Sequence, residues 1–204
     1  EVEFVERLVK DLEELIETEG AETIGAFIAE PIMGAGGVII PPTGYFDAIQ
    51  KVLKKHSILF IADEVICGFG RTGNMWGSET LSLKPDILTC AKALSSAYLP
   101  ISAVLVSPEI VAGVEKQAAN LGIFGHGYTY SAHPVSAAVA LKTLELMNER
   151  KIVEHVKNVS KKFSERVNNL KHYSCVGDTR AIGLLGAMEF VAIPNSRVKF
   201  DPAI

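Results

Sequence analysis

The chain has 204 residues, 48% of them hydrophobic and 22% charged, with a net charge of −4. That is enough for one sizeable core, or one domain and part of another, and the small negative charge with no dense Lys/Arg run argues against a nucleic-acid partner. Cys67, Cys90 and Cys175 are widely spaced and offer no zinc spacing, and no apolar stretch approaches the roughly 18 residues of a membrane span, so the expected setting is the cytoplasm.

Phe4, Val5, Leu8, Val9, Leu12, Leu15 and Ile16 recur at helical spacing, with Gly20 as a natural C-cap. Ile24 to Ala29 is a short apolar run and reads as a buried strand. Glu30 to Gly44 is rich in Gly and Pro and reads as loop. Tyr45 to His56 is amphipathic, with Phe46, Ile49, Val52 and Leu53 on one face. A strand follows at 58–62, then a long loop from Val65 to Pro85, then strands at 87–91 and 101–106. Pro108 suits the first turn of a short helix, where its missing N–H costs nothing. Gly122 to Ser131 is a Gly- and aromatic-rich loop. Helices are expected over 133–149, with alanines at 137, 138 and 140, and over 152–170, and a strand over 181–190.

Strands that alternate with helices, each strand a near-continuous apolar run, predict an α/β fold with a mainly parallel sheet covered on both faces. Residues 1–150 read as part of one domain and 151–204 as the start of a second. The sequence begins inside a charged amphipathic segment and stops at Asp201-Pro202-Ala203-Ile204, so it reads as a piece of a longer protein.

The chemistry-bearing residues sit at strand ends. Asp63 and Glu64 close the run Ile58-Leu59-Phe60-Ile61-Ala62, and Lys92 follows Ile87-Leu88-Thr89-Cys90-Ala91. If both strands are parallel, a carboxylate and an amine meet at the carboxyl edge of one sheet, where open α/β folds bind ligands. Pyridoxal phosphate chemistry needs such a pair: an amine to hold the cofactor and move a proton, and a carboxylate to keep the pyridine nitrogen protonated. A buried Asp or Lys at a strand end can equally be a structural ion pair.

The stretch from Phe60 to Gly73 (FIADEVICGFGRTG) resembles the hallmark of class III aminotransferases, as does Lys84 to Ser96 (KPDILTCAKALSS). The Asp-to-Lys offset, 92 − 63 = 29, is the one expected there. Ala29-Glu30-Pro31 and Gly127-Tyr128-Thr129-Tyr130-Ser131-Ala132-His133-Pro134 are similar to two further motifs of the family, in the right order. The resemblance implies the three-layer large domain of the aspartate-aminotransferase-like fold (PLP fold type I), here its C-terminal part over 1–150, and the start of an α+β C-terminal domain over 151–204. It implies pyridoxal 5'-phosphate as cofactor, Lys92 as the Schiff-base lysine, Asp63 at the pyridine nitrogen and Val65 against one ring face. Thr129 would bind the phosphate of the neighbouring subunit's cofactor, which implies a homodimer or a tetramer built of dimers. Glu30, Ile66 and Tyr128 would support the site, although Glu30 can as well be a buried structural carboxylate.

Two positions depart from some members of the family. Where those carry a second glutamate five residues after the first, this chain has Ala35; where they carry glutamine three residues after the aspartate, it has Ile66. Both look like the branch that uses pyruvate or glyoxylate as amino acceptor, with an amine or an omega-amino acid such as γ-aminobutyrate or β-alanine as donor. An aminomutase of the same family and a non-catalytic fragment are the alternatives within the resemblance. A third, a dinucleotide-binding oxidoreductase, rests on Gly68-Phe69-Gly70-Arg71-Thr72-Gly73, which fits G-x-G-x-x-G; no apolar helix pattern follows to supply the helix N-terminus that a pyrophosphate needs, so a turning loop is favoured. His126 and His133 flank Thr129 and read as packing or hydrogen-bonding residues, and Trp76, Tyr98 and Phe124 as pocket lining or core.

Overall fold

A computed structural model describes residues 1–201 and Ala203. The apolar stripe of the first segment forms α1 (Val2–Glu19), which ends as Gly20 turns to φ 83° and its N–H bonds Ile16 O. β1 (Ala26–Ala29) follows, then a turn-rich stretch, then α2 (Tyr45–Lys55) and β2 (Leu59–Asp63). The long loop expected after Asp63 holds one turn of helix, α3 (Gly77–Thr80), before β3 (Ile87–Cys90). A 3-10 turn at Lys92–Ser95 leads to β4 (Ala103–Val106). The helix at Pro108 is longer than expected: α4 runs Pro108–Leu121, with Pro108 in its first turn. α5 (Pro134–Glu149) and α6 (Ile152–Asn169) match the two long periodic segments.

The sheet has the order β1-β2-β3-β4, with β1, β2 and β3 parallel and β4 antiparallel to β3. Its register places Ala29 beside Ala62, and Asp63 beside Thr89. One face is packed. Phe60 joins Ile16, Phe46, Ile49, Val52 and Leu53 of α1 and α2 in one cluster, and Cys90 joins Leu94 and Ala140 of α5 in another. Each of the large aliphatic or aromatic side chains buried there contributes about 1.5–3 kcal/mol.

The other face carries Ile28, Leu59, Val104 and Val106, all more than a third exposed, so two of the three expected layers are built among the described residues. An apolar run cannot reveal by itself how many of its faces this stretch of chain covers, because two-sided and one-sided burial differ only in the alternate positions. Asp63 lies on this open face, two and four residues along the same strand from Ile61 and Leu59.

The single strand expected over 181–190 is a correction: the segment is a hairpin, β5 (Val176–Ile182) and β6 (Leu185–Phe190), paired antiparallel. Gly183 makes the two-residue turn possible at φ 58°, and a Cβ there would fall 2.3 Å from Arg71 O. Gly183 is the turn's only marker, and the turn is docked: Leu184 N–H bonds Arg71 O at 2.8 Å and Leu185 is buried.

Candidate active site

Parallel pairing of β2 and β3 brings the two chemistry-bearing residues to one sheet edge. Asp63 is the last residue of β2, and Lys92 comes two residues after the end of β3. Asp63 is half-buried; its Oδ1 accepts the N–H of Val65 at 3.0 Å, which fixes the turn leaving the strand. Its second oxygen accepts no hydrogen bond from a described residue and is free for an incoming N–H donor.

The Lys92 side chain is exposed and forms no ion pair among the described residues. Its backbone is at φ 43°, in the left-handed region that non-glycine residues avoid. Such a conformation costs on the order of 1–3 kcal/mol and persists only where the surroundings enforce it. Enforcement is visible. Leu94 and Ser95 are buried, Ser95 Oγ donates to Leu99 O at 2.6 Å, and α5 packs on the turn through the small side chain of Ala140. The alanines of α5 thus let a helix approach the lysine turn closely.

Glu64 has the opposite environment to its neighbour Asp63. It is fully buried, and its carboxylate accepts Gly77 N–H at 2.9 Å, Ser78 N–H at 2.6 Å and Ser78 Oγ–H at 2.5 Å. Its own N–H bonds Thr89 O at 2.9 Å. Glu64 therefore ties the β2 end to β3 and to the start of α3, with Asp63 and Val65 held on either side. Sequence reasoning passed over it; the adjacent carboxylate pair at a strand end was the available signal, since one of two successive residues there must turn inward. Glu64→Ala leaves three buried donors unpaired, at about 1–3 kcal/mol each. Urea unfolding of the full-length protein is expected to show a loss on the order of 3–5 kcal/mol.

Val65 and Ile66 are half-buried beside Asp63, and Ile66 packs so close to Gly34 that a Cβ there would be 2.6 Å from its Cδ1. Glu30 Oε2 accepts Gly34 N–H at 2.9 Å and so closes the loop that follows it. Tyr128 and Thr129 lie in the exposed loop after α4, and neither hydrogen-bonds Asp63 or Lys92. His126 stacks edge-on to Tyr128, His133 is the N-cap residue of α5 with no side-chain hydrogen bond to the helix, and Trp76 packs edge-on against Phe69 in the core. Tyr98 and Phe124 are exposed. After Gly73 the chain enters no helix until Gly77, and that helix has four residues, so the glycine-rich stretch is a turning loop. Cys67 is buried beneath it, and burial pushes its thiol up to about 11, which makes it a packing residue and not a nucleophile.

The donor set fits pyridoxal phosphate: an unpaired amine and a half-exposed carboxylate with a free oxygen, at the carboxyl edge of neighbouring parallel strands. The sheet and its helices are those of the PLP fold type I enzymes. An omega transaminase from Pseudomonas jessenii, solved in complex with PMP, superposes on the chain with a TM-score of 0.93 and 46% identity, covering 97% of this chain and 44% of that one. The family model "Aminotransferase class-III" matches residues 2–201, and the chain belongs to that family, whose enzymes depend on pyridoxal phosphate. Among curated relatives, the mitochondrial gamma aminobutyrate transaminase 1 and the chloroplastic gamma aminobutyrate transaminase 3 of Solanum lycopersicum are each 54% identical over 202 residues. The match takes in 99% of this chain and 39% of each relative, so the chain spans about two fifths of their length. No helix among the described residues is long and apolar enough to cross a membrane.

Proposed function

We propose that the protein of which this chain is part transfers an amino group from an amine or omega-amino acid, such as γ-aminobutyrate or β-alanine, to a small 2-oxo acid. The observation that carries the reading is the placement of Asp63 and Lys92 on one sheet edge in a chain of this family. Pyridoxal phosphate, when bound, supplies the aldehyde that exchanges with an amine and a ring that takes up the electron pair left at the substrate carbon. Lys92 Nζ would hold the cofactor, and once displaced by substrate it would move the proton at the reacting carbon. The free Asp63 oxygen would accept the ring N–H and keep it in place. Val65 would lie against one ring face, with Ile66 and Glu30 supporting the site from behind.

The acceptor is assigned as pyruvate or glyoxylate on the strength of Ala35 and Ile66. A dicarboxylate acceptor requires a cationic partner for its second carboxylate. Using that same cation site with a monocarboxylate or an amine leaves a charge to be neutralised, since an unpaired buried charge is costly. Ala35 offers no counter-charge for such a switch. Steady-state kinetics of the full-length enzyme, with one donor and each acceptor in turn, is expected to give a higher kcat/KM with pyruvate or glyoxylate than with 2-oxoglutarate. The reverse order for both would overturn the acceptor assignment. Return of the amino group to the donor's own carbon skeleton, with no acceptor consumed, would identify an aminomutase instead.

A dimer, or a tetramer built of dimers, is the working unit in this reading, with Thr129 and its neighbour Tyr128 reaching the partner's cofactor phosphate from their exposed loop. Thr129→Ala subunits mixed with Lys92→Ala subunits test this. In each mixed dimer one site has both defects and the other has neither, so activity is expected to recover on mixing. Confirmed subunit exchange without recovery would assign Thr129 to its own subunit.

Residues 1–150 are assigned to the cofactor-binding domain and 151–204 to the start of the smaller one, supported by the separate two-stranded sheet of β5 and β6. The free thiols of all three cysteines support a reducing compartment, with the cytoplasm as the first assignment. The names of the tomato relatives place those proteins in mitochondria and chloroplasts, and cell fractionation decides between these locations.

A further inference from the structure

The loop after Glu30 is held from far away in the sequence. Arg180, on β5, donates to Gly37 O from Nε at 3.1 Å and from Nη2 at 2.8 Å, a contact across 143 residues. Two carboxylates orient the guanidinium: Asp178 at 2.7 Å from Nη1 and Glu189 at 2.7 Å from Nη2. The planar fork is what allows two donors to converge on one carbonyl while the rest of the group stays paired; a lysine ammonium has no such geometry. Gly37 is adapted to the contact, with φ 117° and a position where a Cβ would be 3.3 Å from Nη2.

The loop that Arg180 grips abuts the proposed cofactor seat. Met33 and Ile39 pair with each other through both backbone groups, and Gly37 and Val38 N–H both bond Gly34 O at 3.1 Å. The loop base presses on Ile66 through Gly34 and is tied to Glu30. Met33 and Ile39 then form one wall of a cleft of about 390 Å3 that contains Asp63 and Glu30. On its far side the same loop packs, through Val38, with Leu185 and Ile182 of the hairpin.

We infer that Arg180 is a positioning residue for the cofactor seat: from the C-terminal hairpin it locks the loop over residues 33–39 against Ile66 and the Asp63 cleft. This rests on the proposed function in taking the sheet edge of Asp63 and Lys92, which the cleft adjoins at Asp63, as the seat of pyridoxal phosphate. Arg180 touches neither Asp63 nor Lys92; it acts through Gly37, Gly34 and Ile66. It also makes the seat depend on the hairpin being docked, so cofactor retention is coupled to the contact between the two parts of the chain.

The test compares the full-length protein with its Arg180→Met and Arg180→Lys variants. Two quantities are read: amide hydrogen exchange over residues 33–39 in the cofactor-free protein, and the Kd for pyridoxal phosphate on reconstitution, followed by absorbance. Arg180→Met is expected to speed exchange at Gly37, Val38 and Ile39 and to raise the Kd about tenfold, as the loss of one charge-assisted, oriented contact would. Arg180→Lys is expected to restore part of both. Loop exchange and Kd within about twofold of the parent protein overturn the inference, as does faster loop exchange with unchanged affinity. Exchange that rises uniformly along the chain, or failure of both variants to fold, also overturns it, because Arg180 then supports the fold as a whole. If the parent protein itself binds no pyridoxal phosphate, the proposed function fails, whatever the variants do.

Discussion

Lys92→Ala is expected to abolish amino transfer in the full-length protein while leaving the fold intact. The side chain forms no ion pair among the described residues, so its removal breaks no described pairing. In the cofactor-free protein, thermal unfolding should shift by no more than about 1 kcal/mol, the range of a substitution that breaks no described pairing. Turnover should fall on the order of a thousandfold or more, since in the proposed function Lys92 would be both the covalent attachment point and the proton carrier. The companion measurement is chemical. Borohydride reduction of the parent protein followed by peptide mapping should place a pyridoxyl group on Lys92. A label on another lysine, or none, would remove Lys92 from the assignment.

Asp63→Asn is the second large effect and the more discriminating one. Asparagine keeps the shape and a carbonyl oxygen for Val65 N–H, so the turn leaving β2 is retained. What is lost is the negative charge that, in the proposed function, would face the ring nitrogen. Several kcal/mol of transition-state stabilisation then disappears, on the order of a hundredfold or more in rate. The expected outcome is a folded protein with a normal urea midpoint and a low kcat. Near-normal turnover would show that the open oxygen of Asp63 has another task, and a large loss of stability would show that the carboxylate is structural.

The contrast with Glu64 explains why these two neighbours must be separated by experiment. Both are acidic, adjacent and at the end of the same apolar run. Asp63 has an oxygen to spare, whereas Glu64 has both oxygens committed to the backbone and hydroxyl of residues 77 and 78. A substitution at Glu64 therefore acts on stability first, and one at Asp63 on rate.

Most of the helices and strands were legible in the sequence because their cause is local. The stripe from Phe4 to Ile16 and the stop at Gly20 define α1, and the apolar runs ending at Asp63 and Cys90 define β2 and β3. The family was legible because the motifs that resemble it are contiguous in sequence, around Asp63, Lys92 and Thr129. The hairpin at 182–185 was not, because Gly183 alone marks its turn within an apolar run and its docking on Arg71 O is a non-local contact. Lys92's left-handed backbone, the burial of Glu64 and the grip of Arg180 on Gly37 were also decided only in three dimensions. Each depends on groups brought together by packing across 13 to 143 residues, or on a backbone angle that packing enforces, and no local pattern encodes such partners. The sequence by itself determined most of the helices and strands and the family to which the chain belongs. Tertiary structure decided which of two adjacent carboxylates is free to react, because burial and hydrogen bonding, not residue type, set that difference.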